Sequence, residues 1–196
     1  MSMIRPGSRL MYDMGDFDVS DTYLFVLEEI EPDLVFAFDL IDPDDEEGPG
    51  EIPEDNRITV RAAALEQAPH LISLSQGGAW AHRPGAEPSF GNIEGAVDDL
   101  RPPFLLTRSA YARLAAGDEV SMPTLWGPPA VKVRASGKER ASIEVEGEAR
   151  EVEALRVKDE EGSLVLLVLA DTTWPLVLSH EEAGADNFWR LRRIDS

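Results

Sequence analysis

Hydrophobic residues in the first sixty positions of this chain occur in short runs separated by turn-forming residues. Phe, Val, Tyr, Leu and Ile are frequent in residues 17–30, and a second apolar run, residues 34–40, follows the tripeptide Glu31-Pro32-Asp33. β-Branched and aromatic residues favour strands, whereas Pro and Asp favour turns. The pattern therefore predicts two strands joined as a hairpin, with a further strand at Arg57–Val60.

The middle of the chain predicts one short helix followed by irregular structure. Residues 62–68, Ala-Ala-Ala-Leu-Glu-Gln-Ala, are good helix formers, and Pro69 stops a helix. Residues 77–103 contain many Gly and Pro residues, which leave little room for long elements.

A second helix is predicted after residue 107. Thr107 can cap its N-terminus, and Tyr111, Leu114 and Ala115 fall on one face at helical spacing. Gly117 can end this helix in a left-handed conformation.

From residue 131 onward the period changes to two, which is typical of strands with one buried face. Apolar residues alternate with charged ones, and glycines punctuate the segment at positions that fit turns, namely Gly137, Gly147 and Gly162. We expect six short strands that end at Ile194 and form an antiparallel meander. The chain as a whole is then a single α+β domain, residues 1–196, with a mostly antiparallel curved β-sheet and two short helices on one face.

The last third of the chain resembles a known architecture. Residues 164–171, Leu-Val-Leu-Leu-Val-Leu-Ala-Asp, then a short turn and residues 174–178, Trp-Pro-Leu-Val-Leu, resemble the closing strands of uncharacterised bacterial families with a curved half-barrel sheet. These families are similar in architecture to LolA-type lipoprotein carriers, and residues 148–157 and 188–194 fit the same pattern. The resemblance implies a half-barrel, and it carries over no functional residue.

The net charge restricts the possible functions of this protein more than any sequence motif does. The chain has 38 Asp and Glu against 18 Lys and Arg, a net charge of -20, no Cys and 3 His. Because phosphate backbones are bound by Lys and Arg, this balance disfavours nucleic acid and favours cationic partners or plain solubility. Without Cys there is no disulfide or thiolate metal site. Since neither a secretory signal nor an apolar run of membrane-spanning length is evident, we expect a bacterial, cytoplasmic protein that does not enter the membrane.

Residues that would support catalysis are few. The nucleotide-binding, nucleophile-elbow and zincin motifs are missing from the sequence. His70, His82 and His180 share no helical spacing, so surface or turn positions are favoured over a common metal site. Adjacent acidic pairs, Glu28-Glu29 and Asp98-Asp99, arise by chance in so acidic a chain, and neighbours on a strand point to opposite faces. We therefore predict no catalytic residue, no metal site and no cofactor.

Two sets of residues are candidate binding groups. The loop 42–51 places Asp44, Asp45, Glu46 and Glu47 between Pro and Gly residues, and these carboxylates are our candidates for contact with a basic protein. Calcium binding by this loop and simple solvation are the alternatives. Trp174 and Trp189 begin two late strands and could line the mouth of a curved sheet around an apolar ligand, with core packing as the alternative.

The leading functional hypothesis is a non-enzymatic interaction protein, an immunity-type inhibitor or adaptor, that binds a basic protein through acidic side chains. The second is a carrier or sensor that holds a small hydrophobic ligand in the concave face of the sheet. A hydrolase with carboxylate catalysis is a third reading.

Overall fold

The computed structural model describes residues 3–16, 19–31, 34–41, 52, 57–60, 71–75, 78–82, 103–124, 127–183 and 188–196. These residues form thirteen β-strands and one α-helix. The strands before the helix are β1 (Arg9–Asp16), β2 (Val19–Glu29), β3 (Leu34–Ile41), β4 (Arg57–Val60), β5 (Leu71–Ser75), β6 (Gly78–His82) and β7 (Pro103–Leu106). After the helix α1 (Arg108–Ala115) come β8 (Val120–Thr124), β9 (Gly127–Val145), β10 (Glu148–Asp159), β11 (Leu164–Leu169), β12 (Val177–Glu182) and β13 (Phe188–Asp195).

Ten of the strands belong to one sheet, in the order β4-β3-β2-β1-β13-β12-β11-β10-β9-β8. All neighbours in this order are antiparallel. The predicted N-terminal hairpin is confirmed, since β2 pairs with β3 and Phe25 lies opposite Phe38. The mostly antiparallel α+β class is likewise confirmed.

The C-terminal meander closes on itself. Strands β9 to β13 follow one another as antiparallel neighbours, and the end of β13 also pairs in parallel with β9, with Arg193 opposite Glu144 and Ile194 opposite Val145. The Glu146 N–H donates to the Ile194 carbonyl at 2.9 Å and extends this contact. A sheet whose first and last strands pair must curve, so β9 to β13 form a closed ring of strands.

The prediction of six short strands after residue 131 is wrong in number and length. The described residues of this region form five strands, and β9 alone has 19 residues. Gly137 was interpreted as a turn, but it lies inside β9 with φ +144, where the register against β10 shifts between Arg156 and Val157. Glycine therefore permits a bulge in a continuous strand here rather than a turn between two strands.

Helix α1 forms as its sequence indicates, with one exception. The Thr107 hydroxyl oxygen accepts a hydrogen bond from the Ala110 N–H at 3.2 Å, and Gly117 has φ +88 beyond the C-terminus. Ala110, Tyr111 and Leu114 are the buried residues. Ala115, which was expected on the buried face, is exposed. The helix predicted at residues 62–68 lies outside the described residues, so the part of the chain that the structure describes contains one helix instead of the two expected.

The strand β1 was not expected, because its polar second half, Asp13 to Asp16, does not look like a strand in the sequence. It lies in the centre of the large sheet between β2 and β13. Leu10 and Tyr12 enter the main core, whereas Met11 faces the other side, where it packs with Leu24 and Ile41. Apolar residues on both faces thus place this strand inside the molecule.

The main core lies within the large sheet and under helix α1. It is rich in aromatic rings, and Trp189 stacks on Tyr12 with centroids 4.5 Å apart and planes 13° apart. Phe25 contacts both rings edge-on, at 6.0 Å from Tyr12 and 6.4 Å from Trp189. A second sheet, in the order β6-β5-β7, joins the large one where Leu105 pairs with Leu176.

Candidate functional site

The acidic loop 42–51, with Asp44, Asp45, Glu46 and Glu47, lies outside the described residues. The positions that flank it are described. Ile41, at the end of β3, is buried, and Ile52 is half-buried against the cluster of Met11, Leu24 and Ile41. The residues that flank the loop on its two sides therefore pack on the same face of strands β1 to β3.

Acidic residues are concentrated in the half of the chain that contains this loop. Residues 1–102 contain 22 Asp and Glu against 6 Lys and Arg, whereas residues 103–196 contain 16 against 12. Most of the net charge of -20 therefore arises before helix α1. A net charge of this size attracts cations and cationic surfaces, and most of the excess carboxylates belong to residues 1–102.

The second half neutralises many of its own cations. The Glu119 carboxylate forms ion pairs with Lys132 at 2.8 Å and with Arg134 at 3.3 Å. The hydrogen bond from Lys132, together with both positive charges, lowers the pKa of Glu119 below its ordinary value. Further ion pairs join neighbouring strands among β9, β10, β12 and β13: Lys138–Glu153, Arg156–Glu139, Arg190–Glu181 and Arg193–Glu144. Arg193 also pairs with Asp195 of its own strand.

An open cavity with a volume of about 480 Å³ lies on the hairpin of β9 and β10. Its lining carries charges of both signs, from Lys138, Glu139, Arg140, Glu151 and Glu153, together with Val152. The hydrogen bond and charge of Glu153, 2.6 Å away, raise the pKa of Lys138. With three carboxylates against two cations, this lining is nearly balanced in charge and only weakly acidic.

The two candidate tryptophans lie in the main core. Trp174 is 4% exposed and Trp189 is 2% exposed. The backbone N–H of Trp174 donates to Asp171 Oδ1 at 3.1 Å, and the indole ring of Trp189 stacks on Tyr12. This placement is the core packing that we held as the alternative. The ligand-binding role of Trp174 and Trp189 stays a prediction.

The histidines are not brought together in the part of the chain that the structure describes. His180 is fully buried within β12, so the surface or turn position expected for it is wrong. His70 and the side chain of His82 lie outside the described residues. Among the described side chains there is no group of three metal-ligating residues. Of the acidic pairs, Glu28 is half-buried and Glu29 is exposed, and Asp98-Asp99 lies outside the described residues.

His180 forms a buried polar contact with Glu182 that we did not predict from the sequence. Its Nε2 lies 3.1 Å from Glu182 Oε1, two residues further along the same strand. His180 pairs with Trp189 of β13 on one side and with Leu166 of β11 on the other. Because residues two apart on a strand share a face, the spacing His-x-Glu was the only sequence signal for this contact.

A buried carboxylate, Asp159, was also missed. It accepts hydrogen bonds from the Leu164 N–H at 3.0 Å and from the Ser163 hydroxyl, and so closes the turn between β10 and β11. Burial raises its pKa, but hydrogen bonds from the Ser163 hydroxyl and from the backbone N–H groups of residues 162–164 lower it by more. The net effect is a pKa below the ordinary value, which marks Asp159 as a structural anion.

Comparison with known proteins adds no assignment. No family model matches the chain, and no curated protein matches it significantly. The resemblance to LolA-type carriers therefore stays a prediction from the sequence. Among the described residues, no helix is long and apolar enough to cross a membrane.

Proposed function

We propose that this protein is a non-enzymatic interaction protein of the cytoplasm, an immunity-type inhibitor or adaptor, that binds a basic protein through acidic side chains of its N-terminal half. The observation that carries the proposal is the uneven charge, 22 acidic against 6 basic residues in positions 1–102. The ion pairs within the second half support it, because that half largely balances its own charges.

Asp44, Asp45, Glu46 and Glu47 are the contact residues that we propose. They are consecutive, and the residues on either side, Ile41 and Ile52, pack on one face of the sheet. Four consecutive carboxylates offer a basic surface a high local density of negative charge. Complementary charge of this kind raises the association rate and makes it depend on salt.

The test compares two variants of equal charge. Asp44, Asp45, Glu46 and Glu47 are replaced together by Ser in the first. The matched control replaces four exposed acidic residues of the second half, Glu148, Glu151, Glu160 and Glu161, by Ser. Association with a basic partner captured from the native host and then purified is measured by surface plasmon resonance at several salt concentrations.

We expect the loop variant to associate about tenfold more slowly than wild type at low salt, and the control variant to change much less. Equal slowing in both variants would show that only total charge matters, and no slowing in either would contradict the proposal. Saturable binding of an apolar fluorescent probe that extracted lipids displace, with no basic partner stable at about 0.15 M salt, would favour the carrier hypothesis instead.

A further inference from the structure

Two buried polar atoms on neighbouring strands have no hydrogen-bond partner among the described residues. They are Nδ1 of His180 and Nε1 of Trp189. His180 is fully buried, and Trp189 is 2% exposed. The two residues lie directly opposite each other in the register of β12 and β13, so their side chains are on the same face of the ring.

The two atoms are chemically complementary. The carboxylate of Glu182 can only accept, so Nε2 of His180 donates to Oε1 across the 3.1 Å contact. In the neutral ring with this tautomer, Nδ1 of His180 is an acceptor. The indole Nε1–H of Trp189 is only a donor. A donor and an acceptor that are buried without partners cost free energy, and such groups in proteins are nearly always satisfied.

The surroundings restrict what could satisfy them. Trp189 is held by stacking on Tyr12, whose hydroxyl donates to the Val177 carbonyl at 3.1 Å. Leu166, which is fully buried, lies beside His180 on β11. An apolar ligand offers neither a donor nor an acceptor, so it would leave both atoms without a partner. A water molecule can accept from Trp189 and donate to His180 at the same time.

We propose that His180 and Trp189 form an internal binding site for one water molecule, which bridges His180 Nδ1 and Trp189 Nε1 inside the ring of strands β9 to β13. This site is independent of the acidic loop. It explains why a polar ring and an indole N–H are placed in an otherwise apolar core.

Nuclear magnetic resonance of the full chain in aqueous buffer tests the site. The Trp189 Nε1–H signal is assigned by its loss in Trp189→Phe. We expect a cross-peak between this proton and a long-lived water. We also expect nitrogen shifts of His180 that show a protonated Nε2 and an unprotonated Nδ1.

Two variants separate this site from general hydration of the core. His180→Phe removes the acceptor, and we expect the water cross-peak to be lost. Ser179→Ala is the matched control, because Ser179 is buried on the same strand but points to the opposite face. In this variant we expect the cross-peak between Trp189 Nε1–H and water to persist.

Several results would overturn the proposal: a protonated Nδ1 in wild type, no water cross-peak at Trp189, or a cross-peak that survives in His180→Phe. A co-purified small molecule, detected as added mass in the native mass spectrum and in contact with Trp189, would also overturn it. If His180→Phe does not fold, the wild-type cross-peak and the tautomer of His180 decide the question.

Discussion

At the scale of single residues, two acidic side chains lie in turns with a specific structural role: Glu146 has a positive φ, and Asp159 accepts hydrogen bonds within its turn. Glu146 has φ +54 in the turn between β9 and β10, and Gly147 beside it has φ +76. Asp159 holds the next turn through its carboxylate. Both residues look like ordinary surface acids in the sequence, and only their turn geometry sets them apart.

Replacing Glu146 by Asn should raise stability. A two-residue hairpin turn with positive φ at both positions favours Asn-Gly, and a left-handed conformation costs most residues about 1–2 kcal/mol but Asn less. We expect the free energy of unfolding to rise by about 0.5–1 kcal/mol, partly offset by loss of the hydrogen bond from Ser196 to Glu146. Urea denaturation measures the change.

The matched control for this prediction is Glu148→Asn. Glu148 begins strand β10 and has no positive φ, so Asn there should leave stability unchanged or lower it. A lower stability of Glu146→Asn would show that the Ser196 contact outweighs the backbone strain.

Replacing Asp159 by Asn should weaken the protein in a pH-dependent way. Because the pKa of Asp159 is lowered on folding, its contribution is complete above the ordinary carboxyl pKa, about 4, and is lost as pH falls through the folded pKa. We expect a loss of about 1–3 kcal/mol at neutral pH from weaker hydrogen bonds to Ser163 and Leu164. The deficit should shrink at strongly acidic pH.

Thermal unfolding from neutral pH to about pH 2 measures this effect, since that range spans the carboxyl titration. Glu160→Gln, at the exposed neighbouring position, should follow the wild-type pH profile. A deficit in Asp159→Asn that is constant across this range would contradict the assignment.

At the scale of elements, caps and bulges decide where each segment begins and ends. Thr107 and Gly117 bracket helix α1, and the sequence predicted both roles. Gly137 and Gly147 looked equivalent in the sequence, yet one lies inside β9 and the other forms a turn. The difference arises from pairing with β10, because a glycine permits a bulge and a turn equally well.

Replacing Thr107 by Ala should destabilise the protein by about 1 kcal/mol, because the Ala110 N–H loses its side-chain acceptor. Thr107→Ser keeps the hydroxyl and should lose much less. Guanidinium denaturation of the two variants measures the difference. Equal losses in both would show that the buried methyl group of Thr107, rather than the cap, stabilises the helix.

At the scale of the whole molecule, the net charge of -20 acts on the fold as well as on partners. Like charges repel one another in the compact state, and salt screens this repulsion. The ion pairs of the second half are mostly exposed, and exposed pairs contribute little each. Repulsion within the first half should therefore dominate the response to salt.

We expect the melting temperature of the wild type to rise between low and moderate salt. Replacing Asp44, Asp45, Glu46 and Glu47 together by Ser should leave the low-salt melting temperature unchanged or slightly higher and make the rise smaller. Differential scanning calorimetry with and without salt measures both. A marked drop in the melting temperature of this variant would show instead that the loop stabilises the fold or binds a metal ion.

The local pattern determined the features that depend on neighbouring residues. The hairpin of β2 and β3, helix α1 with its Thr107 cap, and the period-two strands after residue 131 all follow from propensity and spacing within a few residues. The uneven charge is likewise a property of composition alone.

Tertiary structure decided everything that depends on pairing between distant segments. The central place of β1, the pairing of β13 with β9 that closes the ring, and the stacking of Trp189 on Tyr12 join residues far apart in the chain. At Gly15 the Phe188 ring of β13 occupies the place of a Cβ atom, so any other residue there would displace this ring. The contact of His180 with Glu182 becomes part of the proposed water site only because Trp189 lies opposite His180 in the sheet. Sequence spacing cannot specify such contacts, because strand register is set by burial and pairing across the whole sheet.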